Sequence, residues 1–150
     1  MYKNSLVHYL TKYTVDIMFY VGIVCTIAVP FILPFFIEKY EFSSTVFMPF
    51  TITLILAGIC AVYILWQLKI MFKTLLGGNP FVSYNVTCLR KCSVASFLIS
   101  IIFVVKNIYA FGLMSAVVII LFGLVGLFCL TLKDIFKQAI AYKEENDWTV

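Results

Sequence analysis

The chain has 150 residues, 63% of them hydrophobic and 12% charged, with a mean hydropathy of +1.06. Soluble domains carry about 25% charged and about 45–50% apolar residues, so a water-soluble fold is excluded and lipid is the expected solvent. The net charge of +4 is too small to indicate nucleic-acid binding, and the length suits a single domain, residues 1–150.

From the N-terminus, Leu6–Tyr13 is weakly amphipathic, with Tyr9 and Tyr13 suited to the headgroup zone. The first uncharged run, Ile17–Ile37, has 21 residues, enough to cross a hydrocarbon core of about 30 Å, and predicts a span over about 15–37. It is too long for the apolar region of a cleavable signal peptide and lacks a small-residue cleavage pattern. Asp16 opens this helix, where it is expected to favour the helix dipole or to pair with Lys12 one turn away. Proton carrying by Asp16 finds no second buried acid in any span. Pro30 and Pro34 are expected to bend the helix or to mark its outer end.

After a short outer loop, Glu38–Ser44, the second run is Val46–Leu68, 23 residues, giving a span over 46–68. Helix 2 is expected to continue to about Leu76. Gly77-Gly78 can end one helix, and Asn79-Pro80 supplies an N-cap and a first helical residue for the next, so helix 3 is expected from near Pro80 to about Val105, with its span over 86–105. Residues 69–92 then form an amphipathic hairpin at the membrane surface, carrying Lys69, Lys73, Arg90 and Lys91. The stretch Ser93–Leu132 has 40 residues, broken only by Lys106 and Asn107; at 1.5 Å per residue it makes two crossings, so the chain reverses near Lys106–Gly112. The fourth span covers 113–132. Beyond it Ile135, Phe136, Ala139 and Ile140 lie on one helical stripe, before an acidic end, Glu144-Glu145-Asn146-Asp147-Trp148. The fold class expected is therefore an all-α membrane protein: a four-transmembrane-helix bundle with helices 2, 3 and 4 extended into the cytoplasm and a cytoplasmic C-terminal helix and tail over 133–150.

Nine Lys and Arg residues fall on one side and two, Lys39 and Lys106, on the other. The positive-inside rule puts the nine in the cytoplasm, and an even number of spans leaves both termini there, in a multi-pass protein of the cell membrane.

Sites of chemistry are sparse. Cys88 and Cys92 share a helix face at i, i+4, but two thiols do not fill a zinc site and His8 is the sole histidine, so neither metal nor cofactor is expected. Cys25, Cys60 and Cys129 lie in apolar runs, where a thiol acts as a small hydrophobe. No phosphate loop, metalloprotease helix or paired acid occurs, and no enzymatic activity is expected. Asn85-Val86-Thr87 matches a glycosylation sequon on the cytoplasmic side, where it is a chance match. Lys106 and Asn107 are functional candidates as polar groups within a span, but a lysine near a helix end also snorkels to the headgroups. Ser93, Ser96 and Ser100 on helix 3, and Ala57 and Ala61 on helix 2, are small faces suited to close helix contact. They leave a homodimer open without specifying one.

The remaining candidate is the cytoplasmic face. Basic hairpin residues either attract anionic lipid or, together with the acidic end and a Trp148 anchor, form a docking platform for a protein partner. The expected partner-binding residues are Asn79, Pro80, Phe81, Asn85, Arg90, Lys91, Glu144, Glu145, Asn146, Asp147 and Trp148.

Two of these segments carry a resemblance. Gly78-Asn79-Pro80-Phe81 with Asn85 and Leu89-Arg90-Lys91, and Lys143 through Val150 at the end, are together similar to the domain-of-unknown-function family numbered 2975, small bacterial membrane proteins of four spans, over nearly the whole chain. Trp148 stands where members of that family usually have Leu. The resemblance implies genomic neighbourhood with small helix-turn-helix regulators and brings no catalytic residues. The expectation is a non-enzymatic regulatory membrane protein that binds a cytoplasmic helix-turn-helix transcription regulator, without contacting nucleic acid itself. A transport-accessory or immunity-type protein acting within the bilayer is the alternative.

Overall fold

The computed structural model describes residues 6–40, 44–78 and 81–148, and the side chains of 6–35, 48–78 and 81–146. Four helices follow one another: α1 (Leu6–Tyr40), α2 (Ser44–Leu76), α3 (Ser83–Tyr109) and α4 (Leu113–Trp148). All four are long and apolar enough to cross a membrane. At 1.5 Å per residue the shortest, α3 with 27 residues, is about 40 Å long. The weakly amphipathic start is continuous with the first span, and α1 runs unbroken through Pro30 and Pro34.

Each helix packs against its neighbours in the chain, and α1 and α4 make no close approach to each other among the described residues. The pairs are antiparallel. Between α1 and α2, Asp16 meets Lys69, Gly22 lies under Val62 and Leu65, and Thr26 lies against Gly58. Between α2 and α3, Thr74 meets Asn85 and Cys92 faces the backbone of Ile64. Between α3 and α4, Lys106 meets Ser115, the Ser100 hydroxyl donates to the Ile119 carbonyl at 3.0 Å, and the Phe97 ring lies over Gly126. The first residues of α1 and the last of α4 thus sit at one end, with the α2–α3 turn.

Burial concentrates on α3. Of the most apolar stretch of each helix, 39% is buried in α3 and none in α1. Buried α3 residues are mainly small: Cys88, Cys92, Ser93, Ala95 and Ser96, with Leu89 and Ile99. Small side chains let backbones approach closely, which drives helix association where lipid removes the hydrophobic difference. The exposed apolar residues of α1 and α4, such as Ile17, Val24, Ile120 and Leu124, form the surface that lipid solvates.

The turns are closed locally. Helix α2 ends where expected, at Leu76, and the Gly77 amide donates to the Lys73 carbonyl at 3.1 Å. Gly78 then adopts φ +83°, a left-handed conformation that costs glycine nothing sterically. Helix α3 starts later than expected. Its N-cap is Val82, extended at φ −121° and ψ 140°, without a side-chain cap, whereas the sequence placed the start near Pro80. The extended residues let Phe81 reach Phe136 of α4, with ring centroids 5.4 Å apart. At the other reversal, the Asn107 carboxamide accepts from the Gly112 amide at 3.0 Å and Lys106 Nζ donates to Ser115 Oγ at 2.7 Å while lying 5.7 Å from the Phe50 ring centroid. Lys106 and Asn107 thereby close the α3–α4 turn.

Candidate functional site

Polar side chains gather in the half of the molecule that carries the termini, and they divide into a buried joint and an exposed surface. The joint links α2 to α3. Thr74 Oγ1 donates to Asn85 Oδ1 at 2.8 Å and lies 2.7 Å from the Met71 carbonyl oxygen, and Asn85 is only 2% exposed. Gln67 is also 2% exposed and Ser93 is buried, so a polar seam runs along this interface. Asn85, one of the expected partner-binding residues, lies in this seam and not on the outer surface. Burying its amide without a partner would cost roughly 1–3 kcal/mol, which explains its pairing with Thr74.

A second joint ties α1 to α2. Lys69 Nζ is 3.1 Å from Asp16 Oδ1 and lies over the rings of Phe19 and Tyr20, 5.3 and 5.1 Å from their centroids. The sequence reading paired Asp16 with Lys12 on its own helix. Packing puts the two groups at the same depth on adjacent helices, where an ammonium can face both a carboxylate and the negative faces of two rings. The legible signal was that both charges sit at the same end of consecutive antiparallel spans.

The exposed surface has two layers along the bundle axis. The first holds Arg90 and Lys91, both exposed, at the mouth of a crevice of about 530 Å³ between α2 and α3. The second is acidic. Helix α4 is 36 residues long against 27 for α3, and its last nine residues project about 14 Å past the start of α3. They carry Glu144, Glu145 and Asn146 on exposed positions. The acidic segment thus continues α4 outward as a helix, instead of ending it in a separate tail. Phe81, 44% exposed, braces the hairpin against α4 at Phe136, below this projection. Asn79 and Pro80 lie outside the described residues, as do the side chains of Asp147 and Trp148. Among the described residues no three His, Cys, Asp or Glu side chains converge on a point that could hold a metal ion.

An all-helical chain with four membrane-length helices in antiparallel succession defines a multi-pass membrane protein. Residues 35–150 match the family described as "Protein of unknown function (DUF2975)", and the chain belongs to that family. The matched region takes in α2, α3 and α4 and leaves most of α1 outside, so it is shorter than the nearly whole-chain similarity read from the motifs. No curated protein and no solved structure matches the chain.

Proposed function

We propose that the protein is a non-enzymatic regulator of the cell membrane, with both termini in the cytoplasm, that holds a small helix-turn-helix transcription regulator against its inner face. The observation that carries this reading is the outward projection of α4, which keeps Glu144 and Glu145 on a helix clear of the bundle. A DNA-binding surface is basic because it must meet phosphates. An acidic helix standing off the membrane is complementary to such a surface and competes with DNA for it. Holding the regulator at the bilayer then lowers its access to promoters. Trp148, at the end of the same helix, supplies an apolar anchor of the type that dominates interface energetics.

The alternative, a transport-accessory or immunity-type role within the bilayer, would rely on Lys106, Asn107 or the α1 prolines. Lys106 and Asn107 are engaged in closing the α3–α4 turn, which favours the surface reading.

The test is co-purification from cross-linked membranes with Glu144→Lys/Glu145→Lys, a change that leaves α4 helical. The unaltered protein should recover a helix-turn-helix regulator identified by mass spectrometry, and the charge-reversed variant should lose it. Equal recovery by both would reject the acidic helix as the docking element.

A further inference from the structure

Independently of α4, a second feature lies on the opposite side of the hairpin. Cys60 of α2 and Ala95 of α3 are small, and beside them the two helices leave the crevice of about 530 Å³, inside the roughly 300–1,000 Å³ range of small-molecule sites. Its walls are apolar. Ile59, Val94 and Leu98 are 55%, 55% and 46% exposed, so the crevice opens sideways to the surrounding lipid. Its mouth is cationic. Arg90 and Lys91 line it, and among the described residues neither has a carboxylate at ion-pair distance, whereas Lys69 is paired with Asp16 and Lys133 with Asp134. Tyr63, in the wall, stacks edge-on with the exposed Trp66 at 6.1 Å, and aromatic residues of this type settle at the headgroup level.

We propose that this crevice binds one anionic phospholipid, with Arg90 and Lys91 taking the phosphate and the Ile59–Val94–Leu98 wall taking an acyl chain. Two unneutralised cations at the rim of an apolar slot, at headgroup depth, suit a ligand with one negative end and one hydrocarbon end. Basic pockets between transmembrane helices bind anionic headgroups for this reason. The smaller crevice at the other end, about 270 Å³, lacks this match because its one cation, Lys106, is already held by Ser115 and Phe50.

Native mass spectrometry of the delipidated full chain in detergent, titrated with phosphatidylglycerol or with phosphatidylcholine of the same chains, tests the proposal. One phosphatidylglycerol per chain should bind in preference to phosphatidylcholine. Arg90→Gln/Lys91→Gln should weaken it about 30-fold, at about 1 kcal/mol for each basic residue near an anionic surface. The charge-matched control Lys73→Gln/Lys137→Gln should leave it within about 3-fold, since neither residue lines the crevice. Leu98→Trp, which fills the slot without altering charge, should also reduce binding, and it decides the matter with the headgroup comparison if the double variant fails to fold. Equal binding of the two lipids, equal loss in the control, or retained binding in Leu98→Trp would overturn the proposal. Competition by soluble glycerol phosphate at the same concentration as the lipid would overturn the acyl-chain half of it.

Discussion

Replacing Gly58 by alanine should destabilise the α1–α2 pair, although alanine is the better helix former. A Cβ at Gly58 would lie 2.7 Å from Thr26 Oγ1, 2.9 Å from its Cγ2 and 3.3 Å from its Cβ. Thr26 cannot easily turn away: it is β-branched, so its χ1 is stiff, and its hydroxyl donates to the Gly22 carbonyl at 2.7 Å. Overpacking of this kind costs typically 1–3 kcal/mol. The propensity gain of alanine over glycine, up to about 1 kcal/mol, opposes it. The net expectation is a loss of about 1–2 kcal/mol. Gly22→Ala on the facing helix is the matched control. Its Cβ would meet Val62 and Leu65 at 3.4 and 3.5 Å, close to ordinary contact, so it should be neutral or slightly stabilising. Reversible unfolding in mixed micelles by increasing the fraction of denaturing detergent reads both. Thr26→Ala removes the two nearest atoms and should rescue Gly58→Ala, with a coupling of about 1–2 kcal/mol in the double-mutant cycle. Equal stability of the Gly58 and Gly22 variants, or no rescue by Thr26→Ala, would refute the proposed α1–α2 register.

The Asp16–Lys69 pair makes a second prediction about the same interface. Asp16→Lys should lower disulfide cross-linking between Cys introduced at Gly22 and at Val62, and adding Lys69→Asp should restore it, whereas a pair formed with Lys12 would be indifferent to the second change. At the α2–α3 joint, Asn85→Ala should cost about 1–2 kcal/mol in the same unfolding assay, through loss of the bond from Thr74 and the space left behind. Thr74→Val should cost less than this and be non-additive with it, because Thr74 also lies against the Met71 carbonyl; additive losses would show that the two side chains do not interact.

The crossings were legible in the amino-acid sequence because the period of the signal is long and the solvent is uniform. Twenty or more uncharged residues in a row can be satisfied in lipid only by a helix, so four apolar stretches meant four helices. The chain reversals were legible for a related reason: Gly77-Gly78 marked the end of α2, and a stretch too long for one crossing had to turn near Lys106–Gly112. The start of α3 was misplaced by three residues because Asn79-Pro80 offers good local cap chemistry, and the contact of Phe81 with Phe136 is not local. Partners across helices were likewise hidden. Asp16 has Lys12 one turn away in sequence, yet Lys69 lies 3.1 Å away in space; Asn85 reads as a surface motif residue, yet it is buried against Thr74. Hydrophobicity along a chain sets which segments enter the bilayer, but in a chain apolar on every face it does not say which side of a helix meets another helix and which meets lipid. That choice belongs to small side chains and shape, and only the packed helices reveal it.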